Sequence, residues 1–150
     1  METELKFRPY DRNSKEDEIL INGWREFHGR AKMPSSAMSP FSIIVESNGV
    51  PVSFCSCYAA FGCGFAWVDW ITARPGNSLS ISRKAIAMAV EESIVSADLF
   101  CKNNGEGISI VYGALEESLA NEAEKIGFIR CGSGATIVAK RIDGKGNGYG

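Results

Sequence analysis

Trp67-Val68-Asp69-Trp70-Ile71-Thr72, then Ala73-Arg74-Pro75-Gly76-Asn77-Ser78-Leu79-Ser80, then an apolar-periodic run lasting to Cys101: the fold turns on how this stretch is read. The first six residues are apolar enough for a buried strand, and the next eight are rich in the glycine, serine and arginine of a turn. The remainder has helical spacing over residues 81–101, with Arg83 and Lys84 in its first turn. A strand, a turn and a helix start in that order aim free backbone N–H groups into the turn, because the first turn of a helix holds donors with no partner inside it. An anion is the natural guest.

Working outward, residues 65–72 are the last of three strands joined by hairpins. Residues 41–47 form the first, Asn48-Gly49 is the strongest hairpin signal in the chain, residues 50–58 return, and Gly62-Cys63-Gly64 turns the chain again. Further upstream, residues 5–10 alternate like a half-buried strand. Asn13 or Ser14 then offers a helix cap ahead of Glu16, Asp17 and Glu18. The helix that follows carries Ile19, Leu20, Gly23, Trp24 and Phe27 at three- and four-residue spacing and ends near His28-Gly29. Residues 30–40, made of small residues, Met and Pro, predict a mobile or irregular connection with one helical turn at residues 36–38.

Downstream, the long helix presents Ile86, Val90, Ile94, Ala97 and Cys101 as one wide face, with Ile81, Met88, Val95 and Leu99 as a narrower opposite row. The wide face packs on the sheet. The other wants a cover, either another segment of the chain or a second copy in a homodimer. Lys102-Asn103-Asn104-Gly105 ends this helix, and residues 108–113 form a strand. Leu115, Leu119, Ala123 and Ile126 mark a last helix that stops at Gly127, with Phe128 folding back over it. Residues 129–131 and 135–142 predict closing strands about Gly132-Ser133-Gly134, and residues 143–150 a disordered glycine-rich tail. An antiparallel meander followed by strand, helix, strand, helix and strand predicts one α/β domain over residues 1–142: a mixed, mostly antiparallel central sheet flanked by helices.

Composition narrows the function. With 150 residues, 45% hydrophobic, the chain has the apolar material for one core and no room for a second domain. A net charge of −2 gives no basic excess, which argues against a nucleic-acid partner. The 5 cysteines (Cys55, Cys57, Cys63, Cys101 and Cys131) are odd in number beside a single His, and the first reading is small core hydrophobes in a reducing compartment. A metal site on Cys55, Cys57 and Cys63 is the sharper alternative, and it lacks a fourth ligand. The N-terminus is acidic, without the basic start and apolar run of a secretion signal, and polar residues and a turn interrupt residues 52–71, so neither export nor membrane insertion is expected. A cytoplasmic location follows as the expectation.

In its element order, and in Trp67-Val68-Asp69-Trp70-Ile71 with the turn after it, the chain resembles the Gcn5-related acetyltransferase superfamily. Glu124-Lys125-Ile126-Gly127-Phe128 is similar to that family's late helix ending in Glu-Lys-x-Gly-Phe. The resemblance implies an acyl-CoA N-acyltransferase fold, with a V-shaped cleft where the fourth and fifth strands part and acetyl-CoA as cosubstrate. Ile71, Thr72 and Ala73 would offer backbone groups to the pantetheine arm. Gly76, Asn77, Ser78, Ser80 and Ser82 would donate to the pyrophosphate, with Arg74 and Arg83 as countercharge. Implied too is acetyl transfer to a primary amine, on a small molecule or a protein. The family's Arg/Gln-x-x-Gly-x-Gly/Ala loop is replaced here by Arg74-Pro75-Gly76 and serines, its thiolate-protonating tyrosine by Ala123, and its helix-opening asparagine by Glu116. These departures keep an alternative in view, a catalytically inactive binding or assembly module of the same fold.

Four side chains invite chemical roles. Asp69, in an apolar strand beside the cleft, is a candidate base if burial raises its pKa, or else a hydrogen-bonded strand residue. Tyr112, at the end of the next strand, is a candidate proton donor or a core tyrosine. His28 is a candidate base, or a helix-end residue favoured by the dipole. Trp67 and Trp70 project to opposite faces of a regular strand, so at most one of them lines a pocket.

Overall fold

A computed structural model describes residues 3–130. Its element order is β1 (Leu5–Pro9), α1 (Lys15–Phe27), a 3-10 turn (Ser35–Ala37), β2 (Phe41–Ser47), β3 (Val50–Ala60), β4 (Phe65–Ala73), α2 (Leu79–Asn103), β5 (Ile110–Gly113) and α3 (Glu117–Lys125). The strands form one sheet in the order β1-β2-β3-β4-β5, antiparallel except for β5, which runs parallel to β4. This is the mixed α/β architecture the sequence predicts. The expected strand over residues 135–142, the turn at residues 132–134 and the glycine-rich tail lie outside the described residues, and the strand expected over residues 129–131 runs into them.

Each face of the sheet carries its own core. On one side Ile43, Val45, Cys55, Cys57, Ala66, Val68 and Ile71 pack against Ala85, Ala89, Val90 and Ala97 of α2. On the other, Ile44 and Phe54 pack against Ile21 and Trp24 of α1, with Tyr10, Met33 and Met38 closing the edge. Strand alternation supplies this directly: Ile43 and Ile44 are neighbours in sequence and belong to opposite cores.

The helix faces depart from the sequence reading. In α1, Ile19 and Phe27 are exposed, and the inward face is Asp17, Ile21, Asn22, Trp24 and Arg25. Its buried polar groups have remote partners: Asn22 exchanges two hydrogen bonds with the backbone of Met33, at 2.8 and 2.7 Å. The Asp17 carboxylate receives a two-pronged pair of bonds from Arg8, at 2.9 and 2.8 Å. In α2 the inward line is Ala85, Ala89, Ser93, Ala97 and Cys101 at four-residue spacing, with Ile86 and Ile94 only partly buried beside it. Small residues let the helix lie close to β3. Val95 and Leu99 of the second row are exposed, whereas Met88 packs on the core.

The connection over residues 30–40 is irregular, as expected, yet tied down. Met33, Met38 and Ser39 are buried, and the Ser39 N–H donates to Ser56 Oγ at 3.2 Å. Its helical turn sits one residue earlier than predicted. Asn48 and Gly49 both adopt positive φ (50° and 79°), as a two-residue hairpin requires. At the end of α3 the N–H of Phe128 bonds to the Ala123 carbonyl and that of Gly127 to the Glu124 carbonyl, with Gly127 at φ 98°, a Schellman ending. Among the described residues no helix is long and apolar enough to cross a membrane.

Candidate functional site

The pairing of β4 with β5 runs from Phe65↔Ile110 to Val68↔Gly113 and ends there, while β4 continues through Asp69 to Ala73. On its other edge β4 stays paired with β3, but the register jumps from Phe54↔Thr72 to Ser56↔Asp69, so β4 carries one extra residue. Trp70 takes up that residue at φ 57°, a left-handed conformation that costs a bulky side chain on the order of 1–3 kcal/mol. Three contacts hold it. Asp69 Oδ1 accepts from the Trp70 N–H at 2.7 Å, Asp69 Oδ2 accepts from the Trp67 indole at 3.3 Å, and the Arg25 guanidinium lies 4.5 Å from the centre of a Trp70 ring.

The bulge resets which way the strand's side chains face. Val68 and Ile71, three apart, both join the core under α2, whereas Trp70 packs into the core under α1. Trp67 and Asp69 alternate with Val68 and so share that α1 side with Trp70. The two tryptophans therefore lie on the same side of the sheet, contrary to the regular-strand expectation, because a one-residue insertion inverts every later position.

Backbone direction past the bulge sorts the three predicted pantetheine contacts. The Arg74 N–H bonds to the Val52 carbonyl at 2.8 Å, so by alternation Thr72 also faces β3, and Ile71 and Ala73 face the open edge. Thr72 is buried, with its hydroxyl on the Trp70 carbonyl, and offers nothing to the cleft; this corrects its assignment. The Ala73 carbonyl already accepts from His28 Nε2 at 2.9 Å. The lone histidine thus ties the end of α1 to the open edge of β4, a contact that helix-end reasoning alone does not foresee.

Two cavities flank the open segment. One lies between β4, α2 and α3 and is almost wholly apolar, lined by Val68, Ile86, Val90, Ala123 and Phe128 among others. The second lies toward α1 and is lined by Arg30, Asp69, Ala114 and Glu116. Ile71, Leu115 and Leu119 line both and form the wall between them. Arg30 and Glu116 form an ion pair that joins the segment after α1 to the cap of α3 across the second cavity.

At the turn, Gly76 has φ 84°, Ser78 caps α2 by accepting from the Ile81 N–H at 3.3 Å, and Asn77 Nδ2 is buried with no hydrogen-bond partner among the described residues. The N–H groups at Leu79 and Ser80, at the start of the helix, are left for an outside acceptor, and Arg74 is exposed beside them. The Ser82 N–H bonds to the Ser78 carbonyl at 3.0 Å, which leaves its hydroxyl as the donor it has to offer. Arg83 corrects the prediction, since it pairs with Glu122 of α3 at 3.1 Å and spans α2 and α3 instead of facing the turn. Tyr112 lines neither cavity; its ring stacks on Trp67 with centroids 6.4 Å apart. Arg25 and Arg30 were not singled out from sequence, and Leu115, Leu119 and Glu116 were read as residues of the last helix and its start and not as cavity lining. Arg25 left one signal, its four-residue spacing from buried Ile21.

The cysteine alternative finds no support here. Burial pushes the Cys55 and Cys57 thiols up to about 12, Cys63 is exposed on a turn, and no metal-holding cluster occurs among the described residues.

No protein-family model matches the chain, and no curated protein matches it. Among solved structures, a GCN5-related N-acetyltransferase from Ralstonia eutropha matches 94% of this chain over 100% of its own length, with 16% identity and a TM-score of 0.53. An N-acetyltransferase from Staphylococcus aureus matches 86% of each chain, with 12% identity and a TM-score of 0.58. The fold is that of the Gcn5-related acetyltransferases. N-acetylglutamate synthase from Neisseria gonorrhoeae, complexed with coenzyme A and N-acetyl-glutamate, matches 83% of this chain with 11% identity and a TM-score of 0.55, and this chain spans 28% of it.

Proposed function

We propose that the protein is an acyl-CoA-dependent N-acetyltransferase that moves an acetyl group from acetyl-CoA to a primary amine. The observation that carries this is the end of β4–β5 pairing at Val68 and Gly113, with β4 running on between two cavities that share Ile71, Leu115 and Leu119. The residues present fit a nucleotide thioester. The apolar cavity suits a pantetheine arm, Ile71 offers open-edge backbone groups, and Asn77, Ser78, Ser80 and Gly76 with Arg74 offer donors and charge to phosphates. The amine nitrogen attacks the thioester carbonyl, the carbon–sulfur bond breaks, and the amine proton passes to a base while the sulfur leaves. Asp69, on the α1-side cavity, is the proposed proton acceptor.

Ala123 lines the apolar cavity and brings no hydroxyl to the leaving sulfur. A thiol of ordinary acidity, near 8.5, leaves as thiolate without a dedicated acid, so transfer needs no tyrosine there. The same alanine supports the second reading, an inactive binding or assembly module. Calorimetry with acetyl-CoA separates the two. Micromolar binding, weakened about tenfold or more by Arg74→Glu, supports the transferase, and absence of binding supports the module. If acetyl-CoA binds, Asp69→Asn should abolish amine-dependent thiol release with cofactor affinity retained; unchanged turnover removes Asp69 as the base.

A further inference from the structure

On the α1 side of the sheet, the corner made by β4 and β5 is aromatic and exposed. Phe65 and Trp67 alternate with Ala66 and Val68 of the α2-side core, and Ile110 and Tyr112 flank Val111, which packs against that core. The pairings Phe65↔Ile110 and Trp67↔Tyr112 therefore set four large side chains beside one another on the opposite face. Tyr112 stacks on Trp67 and lies 5.4 Å, centre to centre, from the ring of Phe65. Tyr112 is still 43% exposed and Ile110 56%, which core residues are not. The core under α1 takes Ile44, Phe54 and Trp70 and, among the described residues, none of β5. A contiguous apolar strip left facing solvent marks a ligand groove or a partner surface.

Both rows of the strip run into the α1-side cavity. Asp69 follows Phe65 and Trp67 on the same face of β4, Ala114 comes two residues after Tyr112, and Asp69 and Ala114 both line that cavity. A hydrogen bond joins strip to cavity, because the Trp67 indole donates to Asp69 Oδ2 at 3.3 Å. Charge decides what the combined groove accepts. Arg30 is paired with Glu116, whereas Asp69 accepts from two uncharged donors, the Trp67 indole and the Trp70 N–H, and forms no ion pair among the described residues. A carboxylate accepts about four hydrogen bonds, so Asp69 keeps capacity for a cation. Two residues along a strand span roughly 6–7 Å, so a ring lying on Trp67 and Tyr112 is one short linker from that carboxylate.

We propose that strip and cavity form one groove for an arylalkylamine, its ring on Trp67 and Tyr112 and its ammonium on Asp69. The ring gains apolar burial and stacking on the strip, and the ammonium gains a charge-assisted contact that a neutral molecule lacks. The proposal rests on the transferase reading for the fate of the amine, whose proton Asp69 then takes up, but not for its test.

The test is binding in the absence of acetyl-CoA, followed by calorimetry and tryptophan fluorescence with three probes. Phenethylamine carries ring and charge, butylamine keeps the charge without the ring, and phenethyl alcohol keeps the ring without the charge. Phenethylamine should bind about tenfold or more tighter than either. Tyr112→Ser should cut its advantage over butylamine to about threefold or less, and Asp69→Asn its advantage over phenethyl alcohol, in proteins whose circular dichroism matches the unsubstituted chain. Leu99→Ser, on the exposed side of α2, should change neither. Absence of either preference in the unsubstituted protein, or a preference for the ring that survives both Tyr112→Ser and Phe65→Ser, overturns the proposal. So does a dimer in sedimentation that Tyr112→Ser dissociates, since a second copy then occupies the strip. Failure to bind acetyl-CoA sinks the transferase reading alone, because these titrations contain none.

Discussion

At the scale of single residues, the charges that matter here are those whose partners lie far along the chain. Arg8 on β1 reaches Asp17 on α1 with two bonds and Glu46 on β2 with a third, so one side chain fastens a helix and a neighbouring strand together. The Arg8 guanidinium holds the Asp17 carboxyl below its ordinary value. A carboxyl depressed in the folded state contributes stability that is fully present above its unfolded value, near 3.8, and is lost as pH falls through the folded one. Asp17→Asn should therefore lower stability by about 1–3 kcal/mol at pH 7, a range reduced because Arg8 is partly exposed and keeps Glu46. The deficit should shrink in acid melts below about pH 4. An equal deficit at pH 7 and pH 2.5 would show that the pair contributes nothing. None of this was legible in sequence, where Asp17 reads only as a helix-start acid.

At the scale of elements, the bulge in β4 and the small-residue line of α2 are the two decisive features. The bulge turns Ile71 into the α2-side core and Trp70 toward α1, which leaves the edge after Val68 unpaired by β5 and gives both cavities their common wall. The line of Ala85, Ala89, Ser93 and Ala97 sets how closely α2 lies on the sheet. Ala89→Leu should cost about 1–3 kcal/mol by overpacking, whereas Leu99→Ala, on the exposed side, should change the urea midpoint little. Ser78→Ala removes the α2 cap and should cost about 1 kcal/mol. The same change should weaken acetyl-CoA binding, because the cap orients the free N–H groups of the turn. Helix ends and hairpins were legible because capping and turning are local: Ser14, Gly127 and Asn48-Gly49 each act within a few residues, whereas the Ser78 cap, two residues before the expected start of α2, was not foreseen. The buried face of α2 was legible in part: Val90, Ala97 and Cys101 were expected and are buried, but hydrophobic size suggested Ile86 and Ile94 where close approach to β3 selects Ala85, Ala89 and Ser93.

At the scale of the whole molecule, one sheet separates two cores, and its thiols report on one of them. Cys55 and Cys57 lie in the α2-side core with thiols pushed up to about 12, while Cys63 stands exposed on the β3–β4 turn. Iodoacetamide at pH 8 should therefore modify Cys63 in the native protein, and should reach Cys55 and Cys57 only in denaturant, as peptide mass mapping would show. Native labelling of Cys55 would mean that this core opens. The α1-side core behaves differently: it buries Arg25 and Asn22 among aromatic side chains.

The sequence by itself determined the order of the described elements, the hairpins and the helix ends at Ser14 and Gly127, because each depends on periodicity or on neighbours within one turn of chain. Tertiary structure alone decided that Trp67 and Trp70 share a side, that Thr72 faces β3, that Arg83 reaches α3 and that Arg25 is buried over Trp70. A one-residue bulge inverts every later side chain without changing composition, and a buried charge is recognised only by the remote partners it has or lacks.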